Sequence, residues 1–146
     1  MITSDKNERG LHEKVWGSEE IITNNPLYCG KLLALNKGWQ SSIHFHPRKH
    51  ETFLALVGTC WLEVWPMVKA EDPTPLEGLH PERVLLRGWA RDSVEIPPNT
   101  PHRFVGEIED ALLVEFSTPH SEEDVVRLEP SGPTAGVWED IEAESV

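Results

Sequence analysis

Two histidines one residue apart, His44 and His46, lie in the stretch GWQSSIHFHPRKHETFLALVG, residues 38–58. Side chains alternate along a β-strand, so this spacing points both imidazoles to one side of one strand. Pro47, Arg48 and Lys49 then bend the chain, and a following strand returns Glu51 to the same side. His50 is adjacent to Glu51, so it faces the other way and reads as non-ligating. A fourth candidate, His102, stands far along the chain in IPPNTPHRF. Three imidazoles and one carboxylate on a strand scaffold suit a single first-row divalent ion with open positions for water or substrate. Manganese is the first expectation. Zinc, iron, cobalt and nickel are alternatives that the same mixed ligation would hold.

These residues carry a resemblance. Gly38, His44, His46, Glu51 and Gly58 fit the first signature motif of the cupins without a spacing violation. The second motif is matched at Pro97, Asn99 and His102, with Asn99 in place of a glycine and the leading glycine missing. Asn tolerates the left-handed turn conformation that such a glycine adopts. The segment HxHxxKxE, which contains Lys49, is similar to the metal motif of cupin D-lyxose isomerases. Glu115 lies thirteen residues after His102, an offset similar to that of a Glu in type II phosphomannose isomerase cupins. SEEDVVRLEPS resembles their acidic segment ending in Asp-Ile-x-Arg, which places Arg127. Lys14-Val15-Trp16-Gly17 resembles their opening KxWG, although a Trp16 packed over a barrel end with a turn at Gly17 would account for it as well. The resemblance spans about residues 14–130.

It implies an all-β, single-domain cupin (a double-stranded β-helix, or jelly-roll barrel) with one divalent ion on His44, His46, Glu51 and His102. It further implies an aldose–ketose isomerase for D-lyxose, D-mannose or mannose 6-phosphate. That reaction moves a proton between C1 and C2 of an open-chain sugar through a cis-enediol, with the ion stabilising the enediolate. Glu115 would shuttle the proton, and burial in its apolar strand should raise its pKa. Lys49 would bond the carbonyl or carry the proton between oxygens. Arg127, Arg103 or Lys31 would hold distal hydroxyls or a phosphate.

Plainer readings stand beside these. Glu115 could form a salt bridge to an arginine across the barrel. Lys49 could be a solvated turn lysine, and Arg127 a surface partner of Glu123 at helical spacing. Lys31 is either a solvent-facing edge residue or a cavity-lining cation. The same ligands also serve iron-dependent dioxygenases, and a non-catalytic sugar-binding cupin is a third class. Inward-facing Lys31, Gln40, Lys49, Glu115 and Arg127 favour the isomerase, since fold analogy alone would not. The lack of an obvious basic cluster tilts the expectation toward a free sugar.

The chain that must position these groups has 146 residues, 38% hydrophobic and 26% charged, with a formal net charge of −12. That length favours one domain with a real core. The charge argues against nucleic-acid and anionic-membrane partners. MITSDKNERG carries no hydrophobic signal region, so a cytoplasmic location is the default. Cys29 and Cys60 lie in apolar runs and read as small buried hydrophobes rather than a disulfide.

Residues 1–13 read as a polar arm or a short strand crossing to a partner. Residues 14–130 read as the barrel, and 131–146 as an acidic, partly ordered tail. Strands are expected over Leu27–Leu35, Thr52–Val57, Cys60–Trp65, Val84–Leu86, Ser93–Ile96, His102–Val105 and Ala111–Phe116. Asn36-Lys37-Gly38 reads as a hairpin-type turn. SEEDVVRL reads as a helical turn capped by Ser121. The proline-rich segment 66–81 is either a decorated loop or a lid, and His80 in it reads as solvated. A single small barrel leaves open edges, so a homodimer is expected.

Overall fold

The structure is a computed structural model that describes residues 10–72, 76 and 78–134. Its strands are β1 (Leu11–Lys14), β2 (Gly17–Asn24), β3 (Cys29–Leu35), β4 (Trp39–Gln40), β5 (Ile43–Phe45), β6 (Glu51–Val57) and β7 (Thr59–Val64). They continue with β8 (Glu82–Arg87), β9 (Ser93–Ile96), β10 (His102–Val105), β11 (Ala111–Ser117), β12 (Val126–Glu129) and β13 (Gly132–Pro133). One antiparallel sheet runs β1-β2-β3-β11-β6-β9. In the other, β10 pairs with β5, β4 and β7, while β12 lies on β5, β13 on β4 and β8 on β7. Two facing antiparallel sheets of short strands make the expected jelly roll.

The period-two rule writes the interior along three neighbouring strands. The inward residues of β3 are Cys29, Lys31, Leu33 and Leu35, those of β6 are Glu51, Phe53 and Ala55, and those of β11 are Glu115, Leu113 and Ala111. Register places Glu115 opposite Lys31 and Leu113 opposite Leu33. Each strand therefore contributes one charged residue toward one end of the barrel and two apolar residues toward the other, with Cys29 of β3 buried beyond Lys31. The apolar end continues through Cys60, Leu62, Leu86, Ile96 and Phe104, with Trp16 packed against it. Cys29 and Cys60 are both buried and free.

The turns follow the signature motifs. Gly38 and Gly58 have φ of 93° and 73°. Space is open around Gly38, so it answers a conformational need alone, whereas a Cβ on Gly58 would lie 1.9 Å from the Asp110 carbonyl oxygen. Arg91, six residues before Pro97, occupies the position of the missing glycine. Arg91 and Asn99 are the two non-glycine residues at positive φ among the described residues, at 53° and 61°. The backbone demand persists where the glycines do not. Arg91 meets it with help from its guanidinium, which donates to the Leu56 carbonyl at 2.6 Å.

Several local expectations change. Asn36–Gly38 does not close a hairpin. β3 and β4 belong to different sheets, and the Gly38 N–H donates instead to the Gly106 carbonyl at 2.7 Å. The Ser121 cap is present, its hydroxyl accepting from the Glu123 N–H at 3.3 Å. Its helix is one 3-10 turn, Glu122–Asp124, and the β-branched pair Val125–Val126 then leads into β12. Arg127 is thus on a strand rather than at helical spacing from Glu123. Leu11–Lys14 pairs with β2 within the chain, and Gly132–Pro133, expected in the tail, pairs with β4. Residues 1–9 and 135–146 lie outside the described residues. In the 66–81 segment a bridge joins Lys69 and Asp72, and His80 is exposed.

Substitutions at the turns should rank by this geometry. Asn99 has a buried side-chain oxygen without a partner, so Asn99→Gly should keep or raise stability, by up to ~1 kcal/mol. Asn99→Ala should lower it by about 1 kcal/mol. Gly58→Ala should cost more than about 2 kcal/mol, because strain and a backbone clash add. Urea midpoints at constant m check the order.

Candidate metal centre

His44 lies on β5, His46 one residue beyond it, Glu51 at the start of β6 and His102 at the start of β10. β5 and β10 are neighbours, with His102 paired to His44, whereas β6 belongs to the facing sheet. The carboxylate therefore meets the imidazoles from across the barrel. The His44 and His102 ring centroids are 4.7 Å apart, and those of His44 and His46 are 5.2 Å apart. Glu51 Oε1 lies 3.5 Å from His46 Nε2 and 3.4 Å from His102 Nε2. His50 is exposed and takes no part.

Each imidazole is oriented by its own backbone partner. Nδ1 of His44 faces the Ser42 carbonyl at 3.0 Å, Nδ1 of His46 the Asp124 carbonyl at 2.8 Å, and Nδ1 of His102 the Thr100 carbonyl at 2.8 Å. A carbonyl only accepts, so each Nδ1 carries the proton and each Nε2 keeps its lone pair. Such outer partners commonly fix metal-binding imidazoles. Burial, then the neighbouring imidazoles, holds His44 well below the usual histidine range. Burial lowers His46 to about 4 despite the Glu51 charge. Burial opposes the charged forms of Glu51 and His102, but their mutual attraction outweighs it: Glu51 is depressed and His102 raised.

These residues fit a divalent cation. Glu51 Oε1 and His102 Nε2 are buried without a hydrogen-bond partner, an arrangement that costs free energy unless something occupies the space between them. As they stand, no three His, Cys, Asp or Glu side chains among the described residues form a group that could hold a metal ion. The 3.4–3.5 Å donor separations exceed by a few tenths of an ångström the roughly 3 Å edge expected around an ion with ~2.1 Å bonds. A small inward movement would close the set, with each Nε2 lone pair directed at the ion.

The centre opens into a cavity of about 460 Å³. Lys49 is buried there between two carboxylates, its Nζ 2.7 Å from Glu115 Oε2 and 3.8 Å from Glu51 Oε2. Ser117 Oγ donates to the same Glu115 oxygen at 3.1 Å. Burial, then the Glu51 charge, pushes Glu115 up, with Lys49 and Lys31 opposing. Glu115 is thus ion-paired, but with Lys49 inside the cavity rather than with the arginine expected in its plainer role. Lys49 is not a solvated turn lysine.

Lys31 also lines the cavity and is paired with Glu19. Burial works against ionisation of Glu19, but the Lys31 charge and hydrogen bond outweigh it and hold the carboxyl below its usual range. Arg127 is exposed at the cavity rim, on β12 opposite His44. Arg103 is a correction. It alternates with inward-facing His102 and Phe104, so it points outward, donates to Glu63 at 2.7 Å and lies over Trp65. Gln40 does not line the cavity either.

Glu19, His120 and Asp124 were missed by sequence reasoning. The Asp124 carboxylate accepts from the backbone N–H groups of Arg48 and Lys49, at 2.9 Å each, and its carbonyl orients His46. The one sequence signal for it was its place in the capped turn after Ser121.

No family model and no curated protein matches the chain. Solved structures do. CapF, a capsular polysaccharide assembling protein from Staphylococcus aureus, aligns with a TM-score of 0.66 at 17% identity, over 83% of this chain and 34% of that one. Oxalate decarboxylase from Bacillus subtilis, whose structure is described with Mn(II) centres, aligns at 0.63 and 17%, over 83% and 30%. KdgF from Halomonas sp. aligns at 0.57 and 18%, over 82% and 94%. The chain spans about a third of the length of CapF. Among the described residues no helix is long and apolar enough to cross a membrane.

Two tests follow from the site. Protein loaded with Mn or Zn and desalted should hold about one ion per chain by elemental analysis. His46→Ala and His102→Ala should retain less than about a tenth of it, and His50→Ala should retain all of it. Glu19→Gln should cost about 3 kcal/mol by leaving Lys31 buried without its partner. Because the Glu19 pKa is depressed on folding, its contribution is full above the ordinary glutamate pKa and is lost as pH falls through the folded value. The gap between wild type and variant should therefore close on acidification.

The neighbours are cupin-fold proteins, and at these identities the likeness establishes the architecture: the chain has the cupin fold.

Proposed function

We propose that the protein is a metal-dependent aldose–ketose isomerase of the D-lyxose/D-mannose or mannose 6-phosphate type. The observation that carries this reading is a buried Glu115–Lys49 pair beside His44, His46 and Glu51 in one cavity. His44, His46, Glu51 and His102 would hold the ion. When bound, it supplies positive charge that stabilises developing negative charge on the sugar oxygens.

The chain's own residues supply the rest. Lys49 and Ser117 both contact Glu115 Oε2, and Oε1 carries no hydrogen bond among the described residues. Glu115 therefore has one anchored oxygen and one available to take the C2 proton of an open-chain aldose and return it at C1. Its raised pKa makes it a better base than an exposed glutamate. Lys49 would donate to a substrate oxygen on the same side. Lys31 with Glu19, and Arg127 at the rim, offer partners for distal hydroxyls. The reading takes the protein as a cytoplasmic homodimer formed through an open sheet edge, such as that of β9.

Apo protein reloaded with Mn, Zn or Fe should form ketose from lyxose, mannose or mannose 6-phosphate. Glu115→Gln should lower kcat by about a thousandfold and Lys49→Ala by about a hundredfold, while metal content stays unchanged. Oxygen uptake with iron and no ketose would point to a dioxygenase, and sugar binding without turnover to a binding module.

A further inference from the structure

His120 lies on the segment between β11 and the 3-10 turn, and nothing in the reaction proposed above uses it. Its backbone is fixed twice by Asn24: the Asn24 side-chain N–H donates to the His120 carbonyl at 3.1 Å, and the His120 N–H donates to Asn24 Oδ1 at 3.0 Å. The imidazole is fixed by chemistry. Lys49 Nζ lies 3.2 Å from His120 Nδ1, and an ammonium only donates, so Nδ1 accepts. Nε2 must then carry the proton, and it donates to Glu122 Oε1 at 2.9 Å. One hydrogen-bonded line therefore runs from buried Glu115 through Lys49 and His120 to Glu122, whose side chain is 78% exposed. Lys49 and His120 also line a smaller hollow bounded by Arg48, Thr118 and Asp124.

We propose that His120 and Glu122 are positioning residues for Lys49: Glu122 selects the His120 tautomer, and His120 Nδ1 holds the Lys49 ammonium against Glu115. Without that acceptor the four-carbon lysine stem can swing away from Glu115 toward the smaller hollow. An outer carboxylate that orients an imidazole which in turn orients a working group is a common device. Only the kinetic consequence rests on the isomerase reading.

The test compares His120→Ala with His120→Asn, whose side-chain oxygen takes the place of Nδ1 as acceptor, and with Glu122→Gln. Asn24 holds the segment through backbone groups, so all three should fold. The activity-independent readout is the side-chain ammonium resonance of Lys49 in zinc-loaded, 15N-lysine-labelled protein, assigned by its loss in Lys49→Arg. The resonance should be slowed in solvent exchange in the wild type and in His120→Asn, and shifted or lost in His120→Ala. Glu122→Gln should broaden it. In turnover, His120→Ala should lose about tenfold or more in kcat with little change in KM, and His120→Asn should recover most of it. A wild type without the resonance, a His120→Ala with the wild-type resonance, or an Asn variant indistinguishable from the Ala variant would overturn the assignment. If the wild type isomerises no sugar, the function falls while the resonance still decides the role of His120.

Discussion

Lys49 and Glu115 stand 2.7 Å apart between two β-sheets, and most of the polar architecture can be understood from what that burial demands. An isolated charge in such a place is strongly disfavoured, and removing one member of a buried pair costs several kcal/mol. The barrel meets the demand by segregation. On β3, β6 and β11 one inward residue is charged and the next two are apolar, so Lys31, Glu51 and Glu115 share one end and Leu33, Leu35, Ala55 and Leu113 the other. Two lysines, Lys31 and Lys49, sit against Glu19 and Glu115. The apolar end supplies the hydrophobic stabilisation that allows the polar end to exist.

The metal ligands obey a second constraint, that of orientation. Each imidazole spends its Nδ1 proton on a backbone carbonyl of a segment that the fold already fixes: Ser42, Asp124 or Thr100. Asp124 joins the two constraints. Its carboxylate holds the bend at Arg48 and Lys49, and its carbonyl aims His46. The same short turn therefore sets one ligand and one acid–base group. Two unpartnered buried atoms, Glu51 Oε1 and His102 Nε2, remain at the centre of an otherwise satisfied network.

Much of this was legible. Alternation and motif spacing identify the strands that carry the core and the four candidate ligands, because strand period and turn geometry are local properties, whereas β2, β4, β12 and β13 were not anticipated. The same alternation already assigned Arg103 to the outside once His102 was placed inside, and its neglect produced the one outward-facing residue among the expected substrate contacts. Asn99 was recognised as a glycine substitute. Arg91 was not, since arginine carries no turn signal and its φ of 53° is held by contacts from elsewhere. The Glu19–Lys31 and His120–Lys49 contacts join residues 12 and 71 positions apart. Such pairings depend on which strands become neighbours, which no local pattern encodes. The shift of Val126–Leu128 from helix to strand has the same origin: β5 offered an edge.

The central claim is that this cavity abstracts a proton from a carbon next to a carbonyl. The most direct measurement follows the C2 hydrogen of lyxose and mannose by proton NMR in D2O with the Mn-loaded protein, after removal of the ion. The account predicts loss of the C2 signal with the wild type and its retention with Glu115→Gln at equal metal content. A wild type that binds one ion per chain and leaves C2–H intact in every sugar tried would contradict it.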